Sequence, residues 1–476
     1  MARSRTSSAA ELLVQLDRDA SDPLHRQLER ELRDAVCGGR LAGGTTLPST
    51  RALAAQLGLS RGVIVEAYEQ LVAEGYLTSL PGGTTRVSDR IAARPPVATS
   101  RSEATRYRID FGYGRPDVRQ FPRQSWLRSL RRVLNEAPSD RLSYLDMRGA
   151  PELRETLTSY LNRVRGTVAD PERIIICNGF AQALGLVSQL LQARGRRTIA
   201  VEDPGQTDPA RVARIHGLSV VPIPIDGEGI VVEALARTDA DLVVVTPAHQ
   251  FPTGAVLSPG RRAELVAWAT AGDRLILEDD YDAEYRYDRE PIGALHGLAP
   301  DHVIYAGSAS KTLAPGLRLG WLALPDGLVD ELAAIKEGTD RGSASLEQLA
   351  FADFLDRGEF DHHLRRMRPV YRARRDALLA ALRRHFPELR PAGASAGLHV
   401  ITWLPDGVEE EPLIAHAARA GVGIGGLRQY HSAQETARPG LLFGYGTVTE
   451  DEIEEGIRVV ADALETVRRA PLAAAG

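Results

Sequence analysis

The sequence predicts an α/β protein in two parts: an N-terminal winged helix-turn-helix, then a large, mostly parallel sheet with helices on both faces and a small α+β C-terminal subdomain. Three observations predict it. Two short amphipathic segments separated by a glycine turn precede a Pro-Gly-Gly hairpin within residues 21–88. Residues 89–108, "DRIAARPPVATSRSEATRYR", lack periodicity and contain adjacent prolines. From 109 onward, short apolar runs alternate with helix-length amphipathic segments, the pattern of a parallel sheet covered on both sides. The expected division is therefore 1–88, a linker over 89–108, and 109–476.

Each element has a local cause. "PLHRQLERELRDAVCGGRL" repeats apolar side chains at Leu24, Leu28, Leu32 and Val36, one helical face, and Gly38 and Gly39 end it. "PSTRALAAQLG" offers Ser49 as N-cap and Gly58 as the turn; the next helix starts at cap Ser60, presents Val63, Ala67 and Leu71, and stops at Gly75. "GYLTSLPGGTTRVS" reads as a two-stranded wing. In the second part, "RIIIC", "DLVVVT", "RLILE" and "VIYAG" are the buried strands, and "GLHVITWLP" belongs to the C-terminal subdomain among Arg/Glu-rich helices.

Composition narrows the function classes. No apolar run approaches the ~18 residues of a membrane span, and the N-terminal "MARSRTSSAAELLVQLDR" lacks the apolar core of a signal peptide. Cys37 and Cys177 stand outside any metal or disulfide spacing. The expectation is a cytoplasmic protein with no membrane partner and no metal. The net charge of −5 gives no basic footprint, and residues 1–90 balance 11 arginines with 11 acids, so a plain helical domain stays open beside a DNA reader. For DNA, the residues that would enter or flank the major groove are Arg51, Ser60 and Arg61, with Gly82 and Gly83 of the wing beside the backbone.

"LPSTRALAAQLGLSRGVIVEAYEQLVAEGYL" resembles the GntR family of winged-helix bacterial repressors, and Pro23 to Val87 follow that pattern. The resemblance implies contacts to a double-stranded operator from Ser49, Thr50, Arg51, Ser60, Arg61 and the wing glycines Gly82 and Gly83. Gly62 stands where the family usually has Thr or Ala.

Of the 58 basic side chains only Lys311 and Lys336 are lysine. Arg stays protonated whereas a desolvated Lys amine can become a nucleophile, which singles out Lys311 in "VIYAGSASK". A pyridoxal phosphate site needs that amine, a carboxylate for the pyridine nitrogen, a partner for the phenolic oxygen, and a helix N-terminus with an Arg for the phosphate. Asp279 and Tyr281 in "LILEDDYDAEY", Ser308, Ser310 and Lys311, Arg318, and the turn at Gly179, Phe180 and Ala181 supply these parts at strand ends.

Residues from about 109 to the end resemble fold-type I aminotransferases, with "SASKTLAPGLRLGW" as the signature. The resemblance implies Lys311 as the Schiff-base lysine, Arg318 on the phosphate, Asp279 and Tyr281 on the ring, and Tyr144 of "LSYLDMRGAPELRE" reaching the phosphate of a neighbouring subunit in a homodimer. Joined to the first part, this is the architecture of MocR-type (GabR/PdxR-like) GntR regulators, which implies Arg428 of "GIGGLRQYH" on an effector carboxylate, with Arg438 as its rival. Phe251 replaces the usual Asn, Gln206 a Tyr, and Phe180 and Ala181 a hydroxyl or amide, pointing to a reduced rather than a physiological enzyme with a residual half-reaction left open. The expected protein is a pyridoxal-phosphate-dependent regulator whose amino-compound effector forms an external aldimine and alters operator binding. The alternatives are a regulator whose effector is pyridoxal phosphate itself, and an active aminotransferase with an appended DNA-binding domain.

Overall fold

The computed structural model describes residues 14–469 except 15, 80–83, 90–106, 145, 288–291, 394–395 and 435–436. The chain divides into two compact units, Met1–Ala104 and Thr105–Gly476.

In the first unit, α1 (Leu24–Cys37), α2 (Thr50–Leu57) and α3 (Arg61–Ala73) precede β1 (Leu77–Ser79), which pairs antiparallel with β2 (Thr85–Val87). The Ser49 hydroxyl accepts from the Ala52 amide at 3.2 Å and caps α2, while Gly58 ends it in the left-handed region at φ 62°. Ser60 occupies the N-cap position of α3 without a side-chain bond. The core face of α3 is Ile64, Ala67, Tyr68 and Leu71: Ala67 and Leu71 lie where expected, while Val63 is only half-buried because the buried face is rotated toward Ile64 and Tyr68. Tyr68 sets that rotation: its ring is buried and its hydroxyl donates to the Pro48 carbonyl at 3.0 Å. Leu28, Leu32, Leu53 and Leu71 close the core, each contributing about 1.5–3 kcal/mol by burial.

The second unit begins with β3 (Ile109–Asp110), α4 (Arg123–Glu136) and α5 (Pro151–Arg165), then alternates β4 (Ile174–Cys177), α6 (Phe180–Ala193), β5 (Thr198–Asp203), α7 (Thr207–Ile215), β6 (Ser219–Asp226), β7 (Gly229–Ile230), α8 (Val232–Ala236), β8 (Leu242–Val245), α9 (Pro259–Ala271), β9 (Leu275–Asp280), β10 (Val303–Ser308) and β11 (Gly320–Ala323). These strands form one eight-stranded sheet in the order β4-β11-β10-β9-β8-β5-β6-β7. The central pairs are parallel, while β11 runs antiparallel to both neighbours and β7 antiparallel to β6. One apolar core lies under α6 and α10 (Val329–Asp340), and another under α8 and α9, so the sheet is covered on both faces.

After α11 (Ser345–Asp356) and the long α12 (Glu359–His385), the C-terminal subdomain adds β12 (Pro391–Ala392), β13 (His399–Trp403), α13 (Glu410–Arg419), β14 (Val422–Gly423), β15 (Gly425–Gly426), β16 (Gly440–Gly444) and α14 (Glu450–Arg469). Its antiparallel sheet runs β12-β13-β16-β15. Strand β3, at the start of the unit, pairs parallel with β14, which ties the two ends of the unit together. Among the described residues no helix is long and apolar enough to cross a membrane.

Candidate functional site

Side chains alternate across a strand, and the consecutive acids of β9 use both faces. Asp280 turns into the core, where its Oδ2 accepts from Arg165 Nε at 2.6 Å and from the Tyr305 hydroxyl at 2.7 Å. Asp279 turns the other way, buried, and lies inside the strand rather than just after it. The parallel register of β9 and β10 aligns Asp279 with Ala306, so both strands end together and deliver Lys311 to the same crevice.

Lys311 donates from Nζ to the Gly114 carbonyl at 2.7 Å, and its ammonium sits 5.4 Å from the centre of the Tyr113 ring. Gly114 is at φ 80°, a conformation that favours glycine, and a Cβ there would stand 2.7 Å from Lys311 Nζ and displace the amine. Burial lowers the Lys311 pKa, against the pull of Asp282 and Asp279. Burial, reinforced by Asp280, holds the Asp279 carboxyl well above its ordinary range, and Lys311 acts in the opposite direction. Gln206 Nε2 donates to Asp279 at 3.1 Å.

Tyr281 is buried beside them; its hydroxyl donates to the His249 carbonyl at 2.9 Å and lies 3.1 Å from His249 Nδ1. Phe251, at the position of the usual Asn, packs 4.4 Å from the Tyr113 ring and edge-on to Tyr430 at 4.8 Å. A polar contact is thus replaced by an aromatic wall.

Arg318 adopts the left-handed conformation at φ 52° and donates from Nη2 to the Asn178 carbonyl. Gly179 is the N-cap of α6 at φ 86°; a Cβ there would approach Arg318 Nη2 to 3.2 Å, and Gly320 of β11 lies directly behind it. The amides of Phe180 and Ala181 open α6, and the Phe180 ring packs on the core. Ser308 donates to Ser310 Oγ at 2.7 Å and accepts from the Ser310 amide at 3.1 Å.

These residues have the chemistry a phosphorylated pyridine aldehyde requires. There is a desolvated amine, a buried carboxylate with one amide donor and, among the described residues, no side-chain cation bonded to it, a phenol, and a helix N-terminus whose glycine leaves space beside an arginine.

Other expected residues lie elsewhere. Tyr144 is 82% exposed. Arg428 pairs with Glu409, lies 3.7 Å from Glu411 and donates from Nε to the Ala437 carbonyl at 3.3 Å. Arg438 lies over the Trp403 ring. In the first unit Arg61 Nε meets Thr50 Oγ1 at 3.4 Å, and Ser49, Arg51, Ser60 and Arg61 are exposed around the starts of α2 and α3. Gly82 and Gly83 lie outside the described residues.

Sequence reasoning missed Tyr113 and Gly114, which sit almost two hundred residues before Lys311, and the buried trio His249, Asp282 and His399. The signal for the trio was "AHQF", "DDYD" and "GLHV": polar residues inside apolar or strand-end segments.

The family model "Aminotransferase class I and II" matches residues 108–429, and "Bacterial regulatory proteins, gntR family" matches residues 24–87. The chain is 33% identical to the probable rhizopine catabolism regulatory protein MocR of Rhizobium meliloti, over 95% of this chain and 96% of that one. It is 31% identical to the HTH-type pyridoxine biosynthesis transcriptional regulator PdxR of Corynebacterium glutamicum, over 96% and 99%. Among solved structures it resembles LysN, the alpha-aminoadipate aminotransferase of Thermus thermophilus complexed with N-(5'-phosphopyridoxyl)-L-leucine, with TM-score 0.68, 26% identity, and 76% and 92% coverage.

Proposed function

This chain belongs to the MocR-type family of HTH-type transcriptional regulators, a gntR-family domain followed by a class I and II aminotransferase domain, and from that premise we propose that it senses an amino compound through pyridoxal phosphate held at Lys311. The observation that carries the reading is the Lys311 amine itself, desolvated at the end of β10 beside the buried Asp279. Bound there, pyridoxal phosphate would supply an aldehyde carbon for which Lys311 and an amino compound compete.

The chain's own residues do the rest. Asp279 would hold the pyridine nitrogen, with Gln206 orienting that carboxylate. Tyr281 would serve the phenolic oxygen. Arg318, Gly179 and the first amides of α6, with Ser308 and Ser310, would take the phosphate, and the exposed Tyr144 is available to the site of a second copy. Once free of a cofactor, the Lys311 amine would have the Gly114 carbonyl as its acceptor. Arg428 takes an effector carboxylate by exchanging it for that of Glu409. The division at 88 and 109, with operator contacts from Ser49, Thr50, Arg51, Ser60 and Arg61, belongs to the same reading. It extends to Gly82 and Gly83 of the wing.

The test adds pyridoxal phosphate to the purified full-length chain and follows its visible absorption, then selects binding sites from random duplex DNA with and without a panel of amines. A visible band absent from Lys311→Ala, and an enriched sequence whose binding responds to one amine, support the proposal. No band in the wild type removes it. Similarity to the Corynebacterium regulator of pyridoxine biosynthesis favours a second reading, in which pyridoxal phosphate is itself the effector. DNA binding that responds to the cofactor alone, and to no amine, selects it.

A further inference from the structure

Among the described residues, one group of metal-type side chains gathers its donor atoms: His249, Asp282 and His399, all buried and within 4.8 Å of one another. Their neighbours argue against a metal. His249 Nδ1 lies 3.1 Å from Asp282 Oδ2, at hydrogen-bond distance, and the Tyr281 hydroxyl is 3.1 Å from the same nitrogen. His399 Nε2 bonds the Pro252 carbonyl at 2.9 Å. Gly397 backbone covers the group so closely that a Cβ there would overlap both Asp282 Oδ2 and the His249 ring. The space an ion needs is filled.

What the group does have is a junction. His249 follows β8 in the large-sheet part of the unit. On one side its ring meets Tyr281 and Asp282, which follow β9. On the other side it meets the C-terminal subdomain: Nε2 is 3.3 Å from the Gly393 carbonyl, and the ring packs on His399 of β13 at 4.9 Å. A phenol has one proton. While Tyr281 donates it to the His249 carbonyl, it cannot donate to a cofactor oxygen. To serve that oxygen Tyr281 must turn its proton, and its own oxygen then accepts from His249 Nδ1–H or from the Tyr113 hydroxyl, which also bonds it. Asp282 and Tyr281 stand at the same 3.1 Å from that nitrogen and compete for its proton, and because a neutral imidazole carries a single N–H, a proton held on Nδ1 is one that Nε2 cannot give to the Gly393 carbonyl. No water can substitute, because His249, Asp282 and His399 are at most 2% exposed.

We propose that His249 is a positioning residue that couples the hydrogen-bond state of Tyr281 to the seating of the C-terminal subdomain on Gly393 and His399. This rests on the reading of Lys311 and Tyr281 given above. It identifies the contact through which displacement of Lys311 is felt in the subdomain.

The experiment uses the full-length chain loaded with pyridoxal phosphate and treated with methoxyamine, which displaces a lysine whatever the natural effector is. Two readouts are taken: the visible spectrum, and hydrogen–deuterium exchange of residues 399–403. The wild type changes both. His249→Asn keeps a donor near Nδ1 but has nothing at Nε2. It should keep the wild-type spectrum and lose the exchange response about fivefold or more, the lower range of an allosteric coupling. His249→Leu should shift the spectrum as well. An exchange response in H249N equal to wild type overturns the coupling, as does a wild-type spectrum in H249L. One tightly bound metal per purified chain, lost in H249N, overturns it in favour of a metal centre. A wild type with no visible band sinks the Lys311 reading and this inference with it, whereas a normal band with an unresponsive β13 sinks only the inference.

Discussion

Gly320→Ala tests whether the helix start at Gly179 is the phosphate cradle. Gly320 opens β11 and pairs with Cys177 of β4, two residues before Gly179. A Cβ on residue 320 would stand 2.6 Å from Gly179 Cα, 2.9 Å from its nitrogen and 3.1 Å from its carbonyl carbon. Non-bonded carbons rest at about 3.5–4.0 Å, so the first of these contacts must open by roughly 1 Å. All three obstacles are backbone, so no side chain can rotate away. Either β11 separates from β4, or the first turn of α6 moves, and overpacking of this kind costs about 1–3 kcal/mol. The variant should still fold, with its thermal midpoint lowered by a few degrees. A shift of ~1 Å at amides that hold a phosphate, and at Arg318 beside them, should weaken pyridoxal phosphate binding by about a hundredfold. Equilibrium titration of the visible band measures this, with melting of the cofactor-free chain measured in parallel. Gly316→Ala is the control, since nothing lies within 4 Å of its Cβ. If G320A lost stability as expected but bound the cofactor as tightly as G316A, the cradle would have to be sited elsewhere.

Other expectations follow from the same geometry. Asp279→Asn removes a carboxylate that burial and Asp280 disfavour, so the cofactor-free chain should gain about 1 kcal/mol in urea denaturation, while affinity for pyridoxal phosphate falls at least tenfold; a stability loss would contradict the charge argument. Lys311→Ala should keep operator binding and abolish the response to amines, and an unchanged response in a DNA-binding assay would refute the role of the amine. Arg61→Ala should weaken operator binding by about 1–3 kcal/mol, with normal binding refuting the placement of α3 against DNA. His296 is buried with its imidazole pushed down to about 4, against about 6.5 when unfolded. Its folded pKa is the depressed one, so the stability it contributes is full above the unfolded value and is lost as pH falls through about 4. Relative to His296→Asn, the wild type should therefore lose up to ~3 kcal/mol across that window, and parallel denaturation curves would exclude it.

Legibility varied with the range of the interaction. Strands β4, β8, β9 and β10 were readable because a strand buried on both faces must be written as a continuous apolar run. The caps at Ser49 and Gly58 were readable because each serves its own helix. Val63 was assigned to the core instead of Ile64, because Tyr68 turns α3 and a period of four does not fix the rotation of a short helix. The pairing of β3 with β14 joins two-residue strands about three hundred residues apart, too short to carry a periodic signal. The site divides the same way. Lys311, Asp279 and Tyr281 sit at strand ends with recognisable neighbours, whereas Gly114 contributes a carbonyl, which every residue has. Arg428 was assigned by its place in a motif, and no motif records that Glu409 engages it.

The two lysines show how far composition can be taken. A chain that uses arginine for 56 of its 58 basic side chains marks both remaining positions as unusual: Lys336 is fully buried and Lys311 is half-buried. They are unusual for different reasons. Lys336 Nζ donates to Asp340 Oδ1 at 2.9 Å, to Asp340 Oδ2 at 2.8 Å and to Ser343 Oγ at 3.2 Å, so all three of its protons are used. A planar guanidinium would bring five donors to that space and leave some unsatisfied, at about 1–3 kcal/mol each. Lysine is selected there as the compact cation, paired with Asp340. Lys311 has one backbone carbonyl as its hydrogen-bond partner and is desolvated, so its proton is held weakly. Rarity found the two places where arginine does not serve, and only the partners separate the ion pair from the reactive amine.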